Sequence, residues 1–151
     1  MKENTIRIRC FSYFGFLERI VIRLYFYSMT DARKYDLEDR LVKFAILILE
    51  VCDIFPFSKT GRNLEHQLSR SGTAPALIYG EAQAAESIAD FIHKIKLVLK
   101  ELRESRICLR IILEKPVLKS EKIESTLKEC NELVAIFTKS VQTSKQNKNG
   151  G

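Results

Sequence analysis

Proline and glycine are scarce in this chain of 151 residues, which contains three prolines and six glycines. Both residues punctuate regular structure, and a strand-rich fold with many turns needs more of them. Their scarcity therefore favours long helices. The length fits one domain with or without tails. A hydrophobic fraction of 46%, beside 29% charged residues, is enough for one sizeable core.

Cysteine and histidine are few and widely spaced. The four cysteines form no Cys-x-x-Cys pair and lie at Cys10, Cys52, Cys108 and Cys130. Reduced, buried thiols in a cytoplasmic protein are the expected state, and neither a disulfide framework nor a zinc site is expected. His66 and His93 have no carboxylate or thiol at the spacing of a metal motif. The sequence thus predicts no metal and no cofactor.

A long apolar run without charges is also missing. The aromatic segment CFSYFGFLERIVIRLYFY contains Glu18, Arg19 and Arg23. A membrane helix needs about 20 predominantly apolar residues, and a signal peptide needs an unbroken apolar core, so no membrane association is expected. Met29 begins a segment that looks like the ordinary start of a domain. Residues 1–28 are therefore predicted to be an upstream extension outside the core; an arm that contacts another subunit is the alternative.

Apolar residues recur at three- and four-residue spacing in four segments, which is typical of amphipathic helices. The predicted helices span about residues 37–54, 61–85, 88–115 and 121–143. Their candidate N-caps are Asp36, then Ser58 or Thr60, then Ser87 and Ser120. Short connections between such helices specify an all-α, antiparallel up-down four-helix bundle over residues 36–143. The polar residues 144–151 are predicted to form a disordered tail.

The second predicted helix is rich in Ser, Gly, Thr and Ala and contains Pro75. Proline removes one internal hydrogen bond and bends a helix, and small residues let a neighbouring backbone approach closely. We therefore predict a kinked second helix with a close-packed face. Its predicted inward seam is Leu64, Leu68, Ser71, Pro75, Ile78, Ala82 and Ala85.

The first predicted helix is apolar on two sides. Its predicted core seam consists of Leu37, Leu41, Phe44, Ile48, Val51 and Phe55. A second apolar face consists of Val42, Ile46, Leu47 and Leu49. A helix that is apolar nearly all round is buried on more than one side, and soluble monomers rarely expose such a patch. Together with the small-residue face of the second helix, this pattern predicts a homo-oligomer.

Carboxylates of the kind used in acid–base chemistry have a simpler explanation here. Asp90 and Lys94, and likewise Lys100 and Glu104, are four residues apart, and such pairs stabilise an exposed helix by about 0.2–0.5 kcal/mol each. Glu101 belongs to the same charged helix. The sequence has no Gly-rich phosphate loop and no nucleophile elbow. We therefore expect no enzymatic activity.

The strongest functional feature is a basic stripe on the third predicted helix. At 100° per residue, its main members fall within about 40° of a common line, and one further arginine lies on its shoulder. The stripe consists of Lys96, Lys100, Arg103 and Arg110, with Arg106 on the shoulder. The net charge of +6 is compatible with a polyanionic partner. A solvated face that pairs with acids of another subunit is the alternative, and no aromatic residue interleaves the stripe to read bases.

Two segments carry a resemblance to a known family. RSGTAPALIYGEAQAAES begins at Arg70, and DFIHKIKLVLKELRES begins at Asp90. They resemble bacterial four-helix-bundle proteins related to those encoded in intervening sequences of large-subunit ribosomal RNA genes, a group that includes the accessory protein of diversity-generating retroelements. Ile78 stands where the family often has Asn, and Ala82 where many members have Gly. The matching positions are Arg70, Pro75, Glu81, Asp90, Phe91, Lys100, Glu101 and Glu104.

The resemblance implies assembly into five-membered rings, so a homopentamer is expected. The retroelement branch binds nucleic acid and a reverse transcriptase, which makes RNA or DNA and a nucleic-acid-processing protein the expected partners. Two hypotheses follow. The first is an accessory nucleic-acid-binding protein that presents the basic stripe from an oligomer. The second is a structural module that serves only self-assembly or protein contacts.

Overall fold

A computed structural model describes the backbone of residues 33–115 and 117–149, with side chains over 37–115 and 117–144. The chain divides into two units, Met1–Leu37 and Glu38–Gly151. Within the described residues the structure is all-helical. The predictions for residues 1–28 lie outside them. The helices are α1 (Arg33–Cys52), α2 (Lys59–Gln83), α3 (Ile88–Glu114) and α4 (Glu121–Asn149).

The helix boundaries follow local sequence signals. The Ser58 hydroxyl accepts a hydrogen bond from the Gly61 amide at 2.9 Å, and the Ser87 hydroxyl accepts one from the Asp90 amide at 3.1 Å. Each serine satisfies an amide that has no partner within its helix. Both predicted caps are thereby confirmed, with Ser58 chosen over Thr60.

Two helices are longer than their sequences predicted. α1 begins at Arg33, ahead of the predicted cap Asp36. α4 continues to Asn149, whereas the sequence predicted a bundle end at 143 and a disordered tail over 144–151. Extending an existing helix needs only one further hydrogen bond per residue, so polar residues can prolong it without apolar contacts.

α1 packs antiparallel against α2 at very close range. A Cβ placed on Gly72 would lie 2.5 Å from the Ile48 side chain, so only glycine fits there. Further along, the Cys52 thiol donates to the Glu65 carbonyl at 3.7 Å. Moving forward along α1 thus means moving backward along α2.

α1 packs antiparallel against α4 as well. Arg40 reaches across to Glu129, with nitrogen–oxygen distances of 2.6 and 3.0 Å, and to Glu132 at 2.5 Å. At the other end of α1, Glu50 pairs with Lys122 at 2.7 Å. The order of these pairs shows that the two helices run in opposite directions.

α3 closes the bundle between α2 and α4. Its buried Ser105 hydroxyl donates to the buried Ser71 hydroxyl of α2 at 3.0 Å. On the other side, the Cys130 thiol of α4 donates to the Leu102 carbonyl at 3.3 Å. Each helix therefore contacts the next along the chain, and α4 returns to α1. The predicted antiparallel up-down four-helix bundle is confirmed.

The core contains the predicted seam of α1 and small residues of α2. Ser71, Gly72 and Pro75 are buried inside the chain itself, which removes the small-residue face of α2 as evidence for subunit contact. Pro75 lies inside a continuous helix; the bend there stays a prediction. The fully buried α1 residues are Leu41, Phe44, Ile48 and Val51.

The predicted inward seam of α2 is confirmed in part. Its buried members are Leu68, Ser71, Pro75 and Ala82, whereas Leu64, Ile78 and Ala85 are half-buried. Tyr79, next to Ile78, is buried instead. Ile88, the first residue of α3, is 47% exposed. Apolar residues occupy neighbouring positions on these helices, so periodicity left the rotation about each axis underdetermined.

None of the described helices combines the length and hydropathy that crossing a bilayer requires. Nor does the described part of the chain bring together three His, Cys, Asp or Glu side chains as a metal ion would need. The two histidines, His66 and His93, are exposed.

Candidate functional site

An open groove of about 330 Å³ lies beside α3 and α4 and contains three members of the basic stripe. Lys96, Lys100 and Arg103 of α3 line it, together with Leu99 of the same helix and Val141 of α4. We call this surface the basic groove. The three cations are exposed, while the two apolar side chains are buried. Positive charge thus surrounds an apolar floor.

The helical repeat explains this arrangement. Residues 96, 100 and 103 are four and three positions apart, so their side chains share one face of α3. Leu99 lies about 40–100° from them around the helix axis and turns inward against α4. The groove can therefore present cations without disturbing the core contact beneath them.

Two of the three groove cations have no ion-pair partner among the described residues, namely Lys96 and Arg103. Lys100 pairs with Glu101 at 2.7 Å. A hydrogen bond from Lys100 to Glu101, and the attraction between their charges, raise the pKa of this lysine above its usual value. Lys96 and Arg103 are therefore available to an anion. An anion that binds Lys100 must replace its ion pair with Glu101.

The remaining two residues of the predicted stripe lie outside the groove. Arg110 pairs with Glu114 at 2.9 Å. It lies on the same face of α3 as Ile107, which is exposed. Arg106 is half-buried and acts electrostatically on Cys130 of α4. The five predicted residues therefore separate into a groove set of three and two residues with other neighbours.

The predicted pair of Lys100 and Glu104 does not form. The Glu104 carboxylate instead accepts a hydrogen bond from Gln67 of α2 and lies 3.9 Å from Arg70 of the same helix. Glu104 faces the α2–α3 contact, where Ser105 already meets α2, so a cross-helix partner is closer than Lys100. The predicted pair of Asp90 and Lys94 is confirmed at 3.1 Å.

Arg70 is a member of this charged surface that the stripe did not include. Its guanidinium is exposed, and its charge acts on Lys100 across the α2–α3 contact. The available signal was the pair of buried serines, Ser71 and Ser105. Aligning them would have placed Arg70 beside Glu104 and near Lys100.

The cysteines offer no activated nucleophile among the described residues. Cys52, Cys108 and Cys130 are free thiols. Burial raises the pKa of Cys52 and of Cys130 to about 12, and it also raises the pKa of Cys108. These thiols are protonated at neutral pH, and a thiol reacts through its thiolate. Cys10 lies outside the described residues.

Comparison with known proteins decides the family. Residues 33–139 match the 23S rRNA-intervening sequence proteins. The chain belongs to this family. The matched segment includes all of α1, α2 and α3 and most of α4, and the resemblance of the Arg70 and Asp90 segments is confirmed.

A solved structure supports the same relation. The chain is similar to a crystal structure from Bacteroides thetaiotaomicron, described as a protein with unknown function from the S23 ribosomal protein family. The two chains are 26% identical, with a TM-score of 0.64, and the match covers 69% of this chain and 96% of the other. A search of curated proteins found no match. Membership of the intervening-sequence family thus agrees with the fold class. The biochemical function has to be argued from the residues of the basic groove.

Proposed function

We propose that this intervening-sequence family protein is a non-enzymatic, oligomeric accessory protein that holds nucleic acid by phosphate contacts in the basic groove. The observation that carries the proposal is the convergence of Lys96, Lys100 and Arg103 on one groove, two of them without an ion-pair partner among the described residues. Such cations displace the counterions of a nucleic-acid backbone, and that release drives binding. The contacts read charge and spacing, so the proposal includes no sequence specificity.

The test replaces the three groove cations by glutamine. Lys96→Gln/Lys100→Gln/Arg103→Gln is expected to weaken binding of RNA or DNA more than about ten-fold at about 50 mM salt. The slope of log affinity against log salt should fall by about 2 to 3, since each phosphate contact contributes about 0.7 to 0.9. Fluorescence anisotropy of a labelled oligonucleotide over a salt series measures both quantities.

A charge-matched control distinguishes binding in the basic groove from general attraction between a positive protein and nucleic acid. Lys43, Lys119 and Lys128 are exposed residues on other surfaces, and replacing all three by glutamine removes the same net charge. This control variant should retain most of the affinity. Equal losses in the two variants, or a wild-type protein that binds neither RNA nor DNA at low salt, would contradict the proposal and leave the structural module as the function.

The oligomer in this proposal rests on the second apolar face of α1. Val42, Ile46 and Leu49 are each 46–49% exposed, and they lie on the side of α1 away from its core seam. Three large apolar residues in one row favour burial against another protein surface. Family resemblance makes a second copy of this chain, in a ring of five, the proposed partner.

The assembly is tested on that face. Val42→Gln/Ile46→Gln/Leu49→Gln is expected to convert the oligomer to a monomer with unchanged helix content, because glutamine keeps the helix while removing the apolar contact. Light scattering at micromolar concentration measures the mass. Leu77→Gln/Ile88→Gln, which alters exposed apolar residues of α2 and α3, should leave the mass unchanged. A monomeric wild type refutes the oligomer.

A further inference from the structure

The connection between α1 and α2 presents an aromatic ring that the fold does not use. Phe57 is 99% exposed, the most exposed of the large apolar residues described. Ile54, three residues earlier, is 44% exposed. A ring this exposed contributes nothing to the core and is open to a ligand.

The backbone around Phe57 is nevertheless held firmly. The Ser58 amide donates to the Pro56 carbonyl at 2.7 Å, which closes a three-residue turn with Phe57 at its centre. Ser58 in turn caps α2 through the Gly61 amide. Gly61 has no room for a side chain, since a Cβ there would overlap the Pro56 carbonyl oxygen. The backbone that bears Phe57 is therefore fixed by these contacts, and the ring projects into solvent.

The charge next to this ring is positive. Lys59 and Arg62 are exposed, lie in the first turn of α2, and have no ion-pair partner among the described residues. That turn contains no acidic residue, and the positive end of the helix dipole adds to the field. Within five residues of Phe57, the chain carries these two cations and one carboxylate, Asp53. Half-buried Glu65 follows in the next turn of α2 and, like Asp53, acts electrostatically on Cys52. The charges nearest to the ring in sequence are therefore the two exposed cations.

We infer that Phe57 is a stacking platform for an unpaired base, with Lys59 and Arg62 holding the adjoining phosphates, so that the ligand class is single-stranded nucleic acid. Aromatic rings stack on any base, and cations beside them follow the backbone. This inference rests on the proposed function and narrows its ligand. The cations favour a nucleic acid over an apolar pocket of another protein. A duplex keeps its bases stacked internally and gains nothing from the ring.

The platform is separate from the basic groove. In the antiparallel bundle, the α1–α2 connection lies at the same end as the C-terminus of α3. Arg103, the groove residue nearest that end, is eleven residues before Glu114, or about 17 Å along the axis. The two surfaces are therefore apart, and the two contacts can be removed independently.

A fluorescent probe tests the stacking directly. The chain contains no tryptophan, so Phe57→Trp introduces a single reporter at the platform. Stacking on a base quenches indole emission, and a thymidine homopolymer of about 16 nucleotides, within the site sizes of single-strand binders, serves as the probe. We expect quenching in Phe57→Trp and none in Leu77→Trp, which places the reporter on another exposed apolar position.

Affinity supplies the second readout. Phe57→Ala is expected to weaken binding of the single strand by about 5- to 100-fold, the equivalent of one stacked base, and to leave duplex binding unchanged. If the single strand binds and the groove variant loses it, but the platform tryptophan is not quenched, this inference is wrong and the proposed function stands. If no nucleic acid binds at all, both fail. A change in tryptophan emission with protein concentration alone would show that a second copy covers the ring, which also overturns the inference.

Discussion

Phe137→Ala is expected to lower the free energy of unfolding by about 3–5 kcal/mol, the cost of truncating a buried phenylalanine. Phe137 of α4 is 1% exposed. It meets Tyr79 of α2 edge to face, with ring centroids 5.9 Å apart and planes at 84°, and such aromatic pairs contribute beyond the area they bury. The ring therefore joins two helices that do not follow one another in the chain.

The same substitution at an exposed ring is the control for that loss. Phe57→Ala is expected to change stability by less than about 0.5 kcal/mol, because an exposed side chain has no packing to lose. Urea unfolding followed by far-ultraviolet circular dichroism measures both variants, at one protein concentration because assembly shifts apparent stability. A Phe137→Ala variant that loses less than about 1 kcal/mol would contradict the core packing described above.

Two glycines of α2 are expected to respond to alanine with opposite signs. Alanine stabilises a helix interior by about 0.5–1 kcal/mol relative to glycine. At exposed Gly80 a Cβ would meet no atom within 4 Å, so Gly80→Ala should gain that amount. At Gly72 the new Cβ would lie 2.5 Å from Ile48, and overpacking costs about 1–3 kcal/mol. Gly72→Ala should therefore lose about 1–2 kcal/mol overall.

A double-mutant cycle identifies the contact responsible at Gly72. Ile48→Ala removes the atoms that the new Cβ would strike, although it leaves a cavity of its own. The double variant Gly72→Ala/Ile48→Ala should be more stable than the sum of the two single losses predicts, because the clash is absent and the added methyl fills part of the cavity. Additive losses, or a stabilising Gly72→Ala, would show that α1 and α2 do not approach so closely.

The contact at Gly72 accounts for part of the small-residue segment of α2. Ser, Gly and Ala in this helix indicated close packing, and the sequence-based interpretation was that another subunit packs against them. The structure uses Ser71 against Ser105 and Gly72 against Ile48, both within one chain. The proposal of an oligomer consequently rests on the exposed α1 face and on the family resemblance.

The sequence by itself determined the four helices of the described residues, the caps Ser58 and Ser87, and the core seam of α1. It also placed the groove cations Lys96, Lys100 and Arg103 on one face of α3. All of these depend on residues within a few positions of each other, because capping and the 3.6-residue repeat act over one or two turns.

Only the tertiary structure decided which surfaces meet. In the folded chain, Glu104 contacts Gln67 and Arg70 instead of Lys100. Tyr79 is buried in place of Ile78. Arg106 and Arg110 lie outside the basic groove. Each outcome depends on how far a helix is rotated and shifted against another. That rotation and shift are set by contacts between residues far apart in sequence, such as Gly72 with Ile48 and Ser71 with Ser105, which no periodicity within one helix can specify.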